Sequence, residues 1–168
     1  MKFCTRFDTP AALRPATAVL LFLSLAGFAL AADPVSVPSS KVSLSHNPRE
    51  REAQAGKFVQ EKLQLWQQRM NLTSWNIQTN LIRRNAFKPK TVGGIHWDAD
   101  IMKASIDVLS SYDYTLSDRA MLDDMEFTVV HELVHLQLSS LPRSEASRGA
   151  EEHAVNEIAR ALLKLAKH

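Results

Sequence analysis

Cysteine is almost absent from this chain, because its 168 residues include only Cys4. That residue precedes an uncharged run at residues 15–32 (PATAVLLFLSLAGFALAA), so the chain after the run can form no disulfide. A disulfide scaffold is therefore excluded, and the composition also excludes a disordered chain and a protein that crosses a membrane several times. A fold without disulfides must depend on its hydrophobic core or on a bound metal.

The uncharged run has the features of a secretory signal peptide. Lys2, Arg6 and Arg14 precede it, and it ends with the small-residue triplet ALA at residues 29–31. A positive segment, an apolar core and such a cleavage site are typical of exported proteins. We therefore predict a bacterial-type signal peptide at residues 1–31 and a periplasmic or secreted protein. The alternative is an uncleaved membrane anchor, since 18 uncharged residues reach the lower limit for spanning a bilayer.

No excess of charge is left once this segment is set aside. Residues 1–31 hold three of the 20 basic residues and one of the 18 acidic residues, so 17 of each sign are present in the other 137 residues. A neutral chain gives no reason to expect nucleic-acid binding. The length suits one domain, which we place at residues 47–168 after a Pro/Ser/Val-rich linker or loosely held arm at residues 32–46.

Hydrophobic spacing predicts an α+β domain. Apolar residues recur with helical period in three segments, and three short segments between the first and second helix alternate as strands do. The short connections favour a small, mostly antiparallel sheet. The predicted elements are a helix from Asn47-Pro48 to Asn71, strands near residues 75–81, 95–97 and 104–109 (ASIDVL), a helix from Ser117 to about Ser139 before Pro142, and a last helix from about Ser144.

The second helix carries the sequence VVHELVHLQL, a complete HExxH pattern. His131 and His135 lie one turn apart on the same helix face, so both imidazoles can bind one ion. Glu132 is displaced around the helix and can reach a water on that ion without ligating it. The flanking residues are apolar nearly all round, which predicts a buried helix whose polar groups need a partner. This pattern is typical of a zinc hydrolase.

A third ligand for Zn²⁺ must be His, Asp or Glu, because no cysteine follows the predicted signal peptide. In a helical projection of the last helix, Glu151 and Glu152 fall on the apolar stripe, whereas His153 and Glu157 fall on the opposite side. Carboxylates on a core-facing stripe are costly unless a cation receives them, so both glutamates are candidates. The stripe consists of Val155, Ile158, Ala159, Leu162, Leu163 and Ala166.

HELVH followed by Glu152-x-x-x-Asn156 resembles the gluzincin clan of metallopeptidases, and the size of the chain is similar to the minimal gluzincins. The resemblance implies a zincin-like fold, in which a small sheet packs on the active-site helix and on a glutamate-bearing C-terminal helix. It also implies zinc bound by His131, His135 and Glu152, with Glu132 as the catalytic base of peptide-bond hydrolysis. In that clan an acidic residue commonly contacts the first histidine from the position that Asn156 occupies here.

The resemblance further implies how a substrate would bind. ASIDVL would be an edge strand to which a peptide or protein substrate adds as an extended strand. A donor to the oxyanion is also expected, and Tyr112, Tyr114 and Arg148 are the candidates.

Other functions fit the sequence as well. The chain could be a non-catalytic, exported zinc-binding or interaction module, with a closed structural site completed by Glu151 or His153. It could also be a latent protease whose arm blocks the cleft, or a purely helical binding domain with fortuitous histidines.

Overall fold

The computed structural model describes residues 43–87, 91–141 and 147–167, and all of them belong to one unit of the chain, residues 39–168. The predicted signal peptide, the arm up to residue 42 and Pro142 lie outside the described residues. No helix in the described part is both long enough and apolar enough to span a bilayer.

The described chain is α+β, as predicted, with three helices and one three-stranded sheet. A purely helical domain is therefore excluded. The order of the elements is also as predicted. They are α1 (Pro48–Arg69), β1 (Asn76–Ile82), β2 (Gly93–Asp98), β3 (Lys103–Leu109), α2 (Asp118–Gln137) and α3 (Arg148–Leu165).

Short-range hydrogen bonds and backbone angles define both ends of α1 and the start of α2. The Asn47 side chain accepts a hydrogen bond from the backbone N–H of Arg49, so Asn47 caps α1 as expected. Asn71, just beyond α1, has a left-handed backbone (φ 56°), a conformation that ends helices. Ser117 accepts from the N–H of Ala120 and caps α2.

The sheet is mixed rather than mostly antiparallel, and its order is β1-β3-β2. β3 is parallel to β1 and antiparallel to β2. The prediction of a mostly antiparallel sheet is therefore wrong. The prediction that ASIDVL is an edge strand is also wrong, because this segment lies in the central strand. The reason is burial: Ala104, Ile106, Val108 and Leu109 are all buried, and the most apolar strand gains most from neighbours on both sides. The connection at residues 83–92 is long enough for β2 to lie beyond β3.

α1 and α2 pack against the sheet, and α3 packs on α2. The two packed helices bury large side chains between themselves and the strands, and Trp66 is 2% exposed. α3 buries only Val155 and Ala159 completely. Two residues of the predicted apolar stripe are not buried, since Ile158 is 42% exposed and Ala166, just beyond the end of α3, is exposed.

A carboxylate on α1 anchors the turn between β3 and α2. Glu52 accepts hydrogen bonds from the hydroxyl groups of Ser110 and Ser111 and from the backbone N–H of Ser111. Both serines are 1% exposed, so these hydroxyls have little access to water. The anchor helps to fix where α2 begins, and therefore where its histidines lie relative to β2.

The described end of the arm lies at the start of α2. The backbone N–H of Leu44 donates to the carboxylate of Asp118 at 2.9 Å, and Arg51 pairs with the same carboxylate at 3.2 Å. Asp118 precedes His131 by 13 residues, which is about 20 Å along a helix. This part of the arm therefore does not lie at the histidines, and the rest of the arm lies outside the described residues.

Candidate metal centre

The two histidines of the HExxH pattern point their Nε2 atoms at one spot, because they lie one turn apart on α2. These two atoms are 3.1 Å apart. Glu152 approaches from α3, with its carboxylate oxygens 3.5 Å from Nε2 of His131 and 3.3 Å from Nε2 of His135. The structure thus brings together the three residues predicted as metal ligands, and they form a group that could hold an ion.

The separations suit a tetrahedral ion. Ligand atoms at about 2.0–2.1 Å from a tetrahedral Zn²⁺ are about 3.4 Å apart. The two Nε2 atoms are 3.1 Å apart, and the shortest distances to Glu152 are 3.5 Å from Oε2 to His131 and 3.3 Å from Oε1 to His135. With one ligand atom from each residue, the three atoms lie within 4.8 Å of one another. Two imidazole nitrogens and one carboxylate are also the donor types that zinc accepts. The donor types and their proximity are therefore compatible with a zinc ion.

Glu151 has a different position from Glu152. Its Oε1 lies 3.1 Å from Nδ1 of His135, on the side of the ring opposite to Nε2. A carboxylate at Nδ1 holds the proton there and leaves Nε2 free to act as a ligand. The geometry therefore places Glu152 among the ligand atoms and Glu151 behind one of the histidines, while His153 is exposed on another face of α3.

The Nδ1 atom of His131, unlike that of His135, has no carboxylate beside it in the described residues. Burial lowers the pKa of His131 below its usual range and the neighbouring His135 lowers it further, whereas Glu152 and the Asn156 side chain oppose the shift. Asn156 thus lies close to the ring, as the sequence predicted. Within the described residues, however, buried Nδ1 of His131 makes no hydrogen bond of standard geometry. Binding a cation at Nε2 would increase the need for an acceptor at this nitrogen.

Glu132 is not one of the three converging donors and is almost fully buried, with 6% of the residue exposed. Burial raises the pKa of Glu132 to about 8, and the nearby carboxylates of Glu152 and Asp107 raise it in the same direction. A carboxyl group with a raised pKa, next to a possible metal site, is a common feature of catalytic centres.

The donor groups lie in a cleft of about 800 Å³. One wall is formed by β2 and the residues before it, the floor by α2, and the other wall by the first turns of α3. The cleft residues are Thr91–Ile95 and Trp97, then Asp124, Phe127, Thr128, His131, Glu132 and His135, then Arg148, Glu151, Glu152 and Asn156.

Gly93 allows β2 to pass close to α2. A Cβ atom at this position would lie 2.4 Å from Cγ2 of Thr128 and 3.2 Å from Oε1 of Glu132. A contact of 2.4 Å is far below van der Waals distance, so any larger residue would displace β2 or α2. The strand predicted near residues 95–97 begins two residues earlier, because both glycines belong to β2, and they also line the cleft.

The three predicted oxyanion donors are separated by the fold. Tyr112 and Tyr114 do not line the cleft, whereas Arg148 does. The guanidinium of Arg83 lies over the Tyr112 ring, with Cζ 5.1 Å from the ring centroid. The Tyr114 hydroxyl donates to Asp124 at 2.7 Å, and burial and this carboxylate together raise its pKa.

Sequence reasoning missed two residues on the cleft floor, Asp124 and Thr128. They precede His131 by seven and three residues, so all three share one face of α2. The helical period of α2 was sufficient to find them once the histidines had defined the face.

Comparison of the chain with known protein families, with curated proteins and with solved structures gives no match.

Proposed function

We propose that this chain is an exported zinc peptidase of the gluzincin type, with a zincin-like fold. His131, His135 and Glu152 would hold the metal, and Glu132 would be the catalytic base. The observation that carries the proposal is the convergence of three donor groups, whose ligand atoms lie within 4.8 Å of one another, in a cleft that also contains a buried glutamate. Export rests on the signal-peptide pattern of residues 1–31.

A zinc ion held by these residues would supply a Lewis acid that activates water and polarises a carbonyl group. Glu132 accepts the proton that the water releases as its oxygen bonds to the carbonyl carbon. The same carboxyl group then delivers this proton to the amine nitrogen as the C–N bond breaks. Water is the only co-reactant, and the products are a carboxylic acid and an amine.

The edge of β2, rather than of β3, is the surface proposed for the substrate. β2 pairs with β3 on one side only, and it forms one wall of the cleft. An extended peptide that paired with the other side of β2 would run past the donor groups. The glycines at the start of β2 leave its backbone accessible there.

An open metal site is better supported than a closed structural one. A closed site needs a fourth protein ligand. Among the described residues, only His131, His135 and Glu152 converge. Glu151 contacts Nδ1 of His135 instead, and exposed His153 does not line the cleft. One coordination position would thus be left for water or substrate.

The test uses Glu132→Gln in the chain without residues 1–31, freed from contaminating proteases. This variant is expected to bind one equivalent of zinc and to lose hydrolysis of casein, because the amide cannot accept the proton. The control is Glu157→Gln, an exposed residue of α3 that pairs with Arg160 and lies outside the cleft. Equal cleavage by the wild type and Glu132→Gln, or hydrolysis that persists after zinc removal, would overturn the proposal.

A further inference from the structure

From the walls of the cleft we infer that Asp124 binds a cationic group of the peptide substrate, either a lysine or arginine side chain or the α-ammonium group. This inference rests on the proposed function, since it names the substrate class of the same site. Asp124 lies on the cleft floor, on the same face of α2 as His131.

The Asp124 carboxylate is held in place from behind. Tyr114 donates to its Oδ2 at 2.7 Å, and the tyrosine ring is partly buried against the core. A tyrosine hydroxyl that binds one carboxylate oxygen fixes the side-chain rotamer and leaves the other oxygen available. Within residues 43–87, 91–141 and 147–167, no lysine, arginine or histidine pairs with Asp124.

The other carboxylates of the cleft have partners near the proposed metal. Glu152 lies among the ligand atoms, and Glu151 contacts Nδ1 of His135. Glu132 is almost fully buried, with 6% of the residue exposed. Among the cleft carboxylates, Asp124 is therefore the one that lies apart from the proposed metal and its histidines.

Arg148 and Asp124 lie at opposite ends of the cleft. α3 runs antiparallel to α2, because Glu151 contacts His135 whereas Arg160 lies over the ring of Phe127. Arg148, at the first residue of α3, thus lies beyond His135, and Asp124 lies beyond His131 at the other end.

The distance from the metal site defines where in the substrate the cation would be. Asp124 precedes His131 by seven residues, which is about 10 Å along the helix axis. This is the length of about three residues of an extended chain. The cationic group is accordingly expected a few residues from the bond to be cleaved, not at that bond.

The test measures peptide binding separately from cleavage. Zinc-loaded Glu132→Gln is titrated by calorimetry with octapeptides in which one lysine is moved through the sequence, and with matched norleucine peptides. Each peptide is made with a free and with an acetylated N-terminus. We expect at least about tenfold tighter binding for a lysine at one position, or for the free over the acetylated terminus.

Asp124→Asn decides the assignment, because asparagine keeps the shape and can still accept from Tyr114. On the Glu132→Gln background it should abolish the discrimination. The matched control is Asp123→Asn, which removes the same charge from an exposed neighbour that pairs with Arg119 outside the cleft. No preference for a cation, or a preference that survives Asp124→Asn, would overturn the inference.

The two proposals fail in different ways. If the wild type binds lysine peptides through Asp124 but cleaves none of them, the result contradicts the peptidase proposal and supports the cation site. Cleavage of casein without any cation preference supports the peptidase and contradicts the role of Asp124.

Discussion

Oε1 of Glu151 lies 3.1 Å from Nδ1 of His135, on the side of the ring away from Nε2. Two adjacent glutamates therefore approach the same histidine from opposite sides, since Glu152 lies 3.3 Å from its Nε2. Consecutive residues of a helix point about 100° apart, which lets α3 place one carboxylate among the ligand atoms and the other behind them.

This arrangement predicts different effects of the two glutamates on zinc. Glu152→Ala should lose stoichiometric zinc, because it removes a donor. Glu151→Gln should still bind one equivalent but about 10–100-fold more weakly, as is usual when the group behind a ligating histidine is changed. Competition with a chromophoric chelator measures both constants, and His153→Ala serves as the exposed control on α3. Full zinc affinity in Glu152→Ala would show that the donor set is wrong.

A second prediction concerns the close contact between β2 and α2. Gly93→Ala should destabilise the chain by about 1–3 kcal/mol, because the new Cβ would lie 2.4 Å from Cγ2 of Thr128. Chemical denaturation of the metal-free chain measures this change. Thr128→Ser removes the clashing methyl group and keeps the hydroxyl, so the double variant should recover much of the loss.

Gly94→Ala is the matched control for this experiment. A Cβ at Gly94 would meet no atom within 4 Å, so its free energy of unfolding should stay within about 0.5 kcal/mol of the wild type. If Gly93→Ala proves equally harmless, β2 and Thr128 are not in close contact.

The Glu52 anchor gives a third prediction. Glu52→Ala should lower the free energy of unfolding by about 1–3 kcal/mol, because it leaves the buried hydroxyls of Ser110 and Ser111 without their acceptor. Glu61→Ala is the control, since that residue lies on the same helix with an exposed pairing to Lys57. Equal stability of the two variants in urea denaturation would mean that the anchor contributes nothing.

The fourth prediction is a pH dependence of stability. The backbone N–H of Leu44 and the guanidinium of Arg51 hold the pKa of Asp118 below its usual range. The unfolded chain then binds this proton more readily, so the stabilisation is present above the usual aspartate pKa, about 3.9, and is lost as the pH falls through the lower, folded value.

Asp118→Asn should therefore melt at a lower temperature than the wild type at pH 6–7, and the difference should shrink below about pH 4. Thermal unfolding in the presence of a chelator separates this effect from metal release. Asp123→Asn, which removes an exposed pairing with Arg119, should show little difference at any pH. A gap between Asp118→Asn and wild type that does not change with pH would contradict a lowered pKa of Asp118 in the folded chain.

Much of the fold could be predicted from local signals. The caps at Asn47 and Ser117 and the left-handed residue after α1 follow from side chains that act within a few residues. The order of the strands could not be read in this way. It depends on which strand gains most from burial on both edges, and alternation in β3 looks the same whether the strand is central or at an edge.

The site also has features that could be predicted from the sequence and features that could not. His131, His135 and Glu152 converge as predicted, because two lie one turn apart and the third faces them from the next helix. The role of Gly93 could not be foreseen, since it depends on how closely β2 approaches Thr128. Asp124 could have been found from helical spacing, but its contact with Tyr114 depends on the turn before α2.

α3 buries only two side chains completely, yet it supplies both Glu151 and Glu152. A helix with so little core contact is expected to open locally at low cost. Because metal ligands on α2 and α3 must be held together, zinc affinity depends on the effective concentration of α3 at its docking surface. Changes in the connection between the two helices should therefore alter the affinity without touching a ligand. On zinc addition, the hydrogen-exchange rates of the α3 amides should therefore fall at lower zinc concentrations than those of the α1 amides.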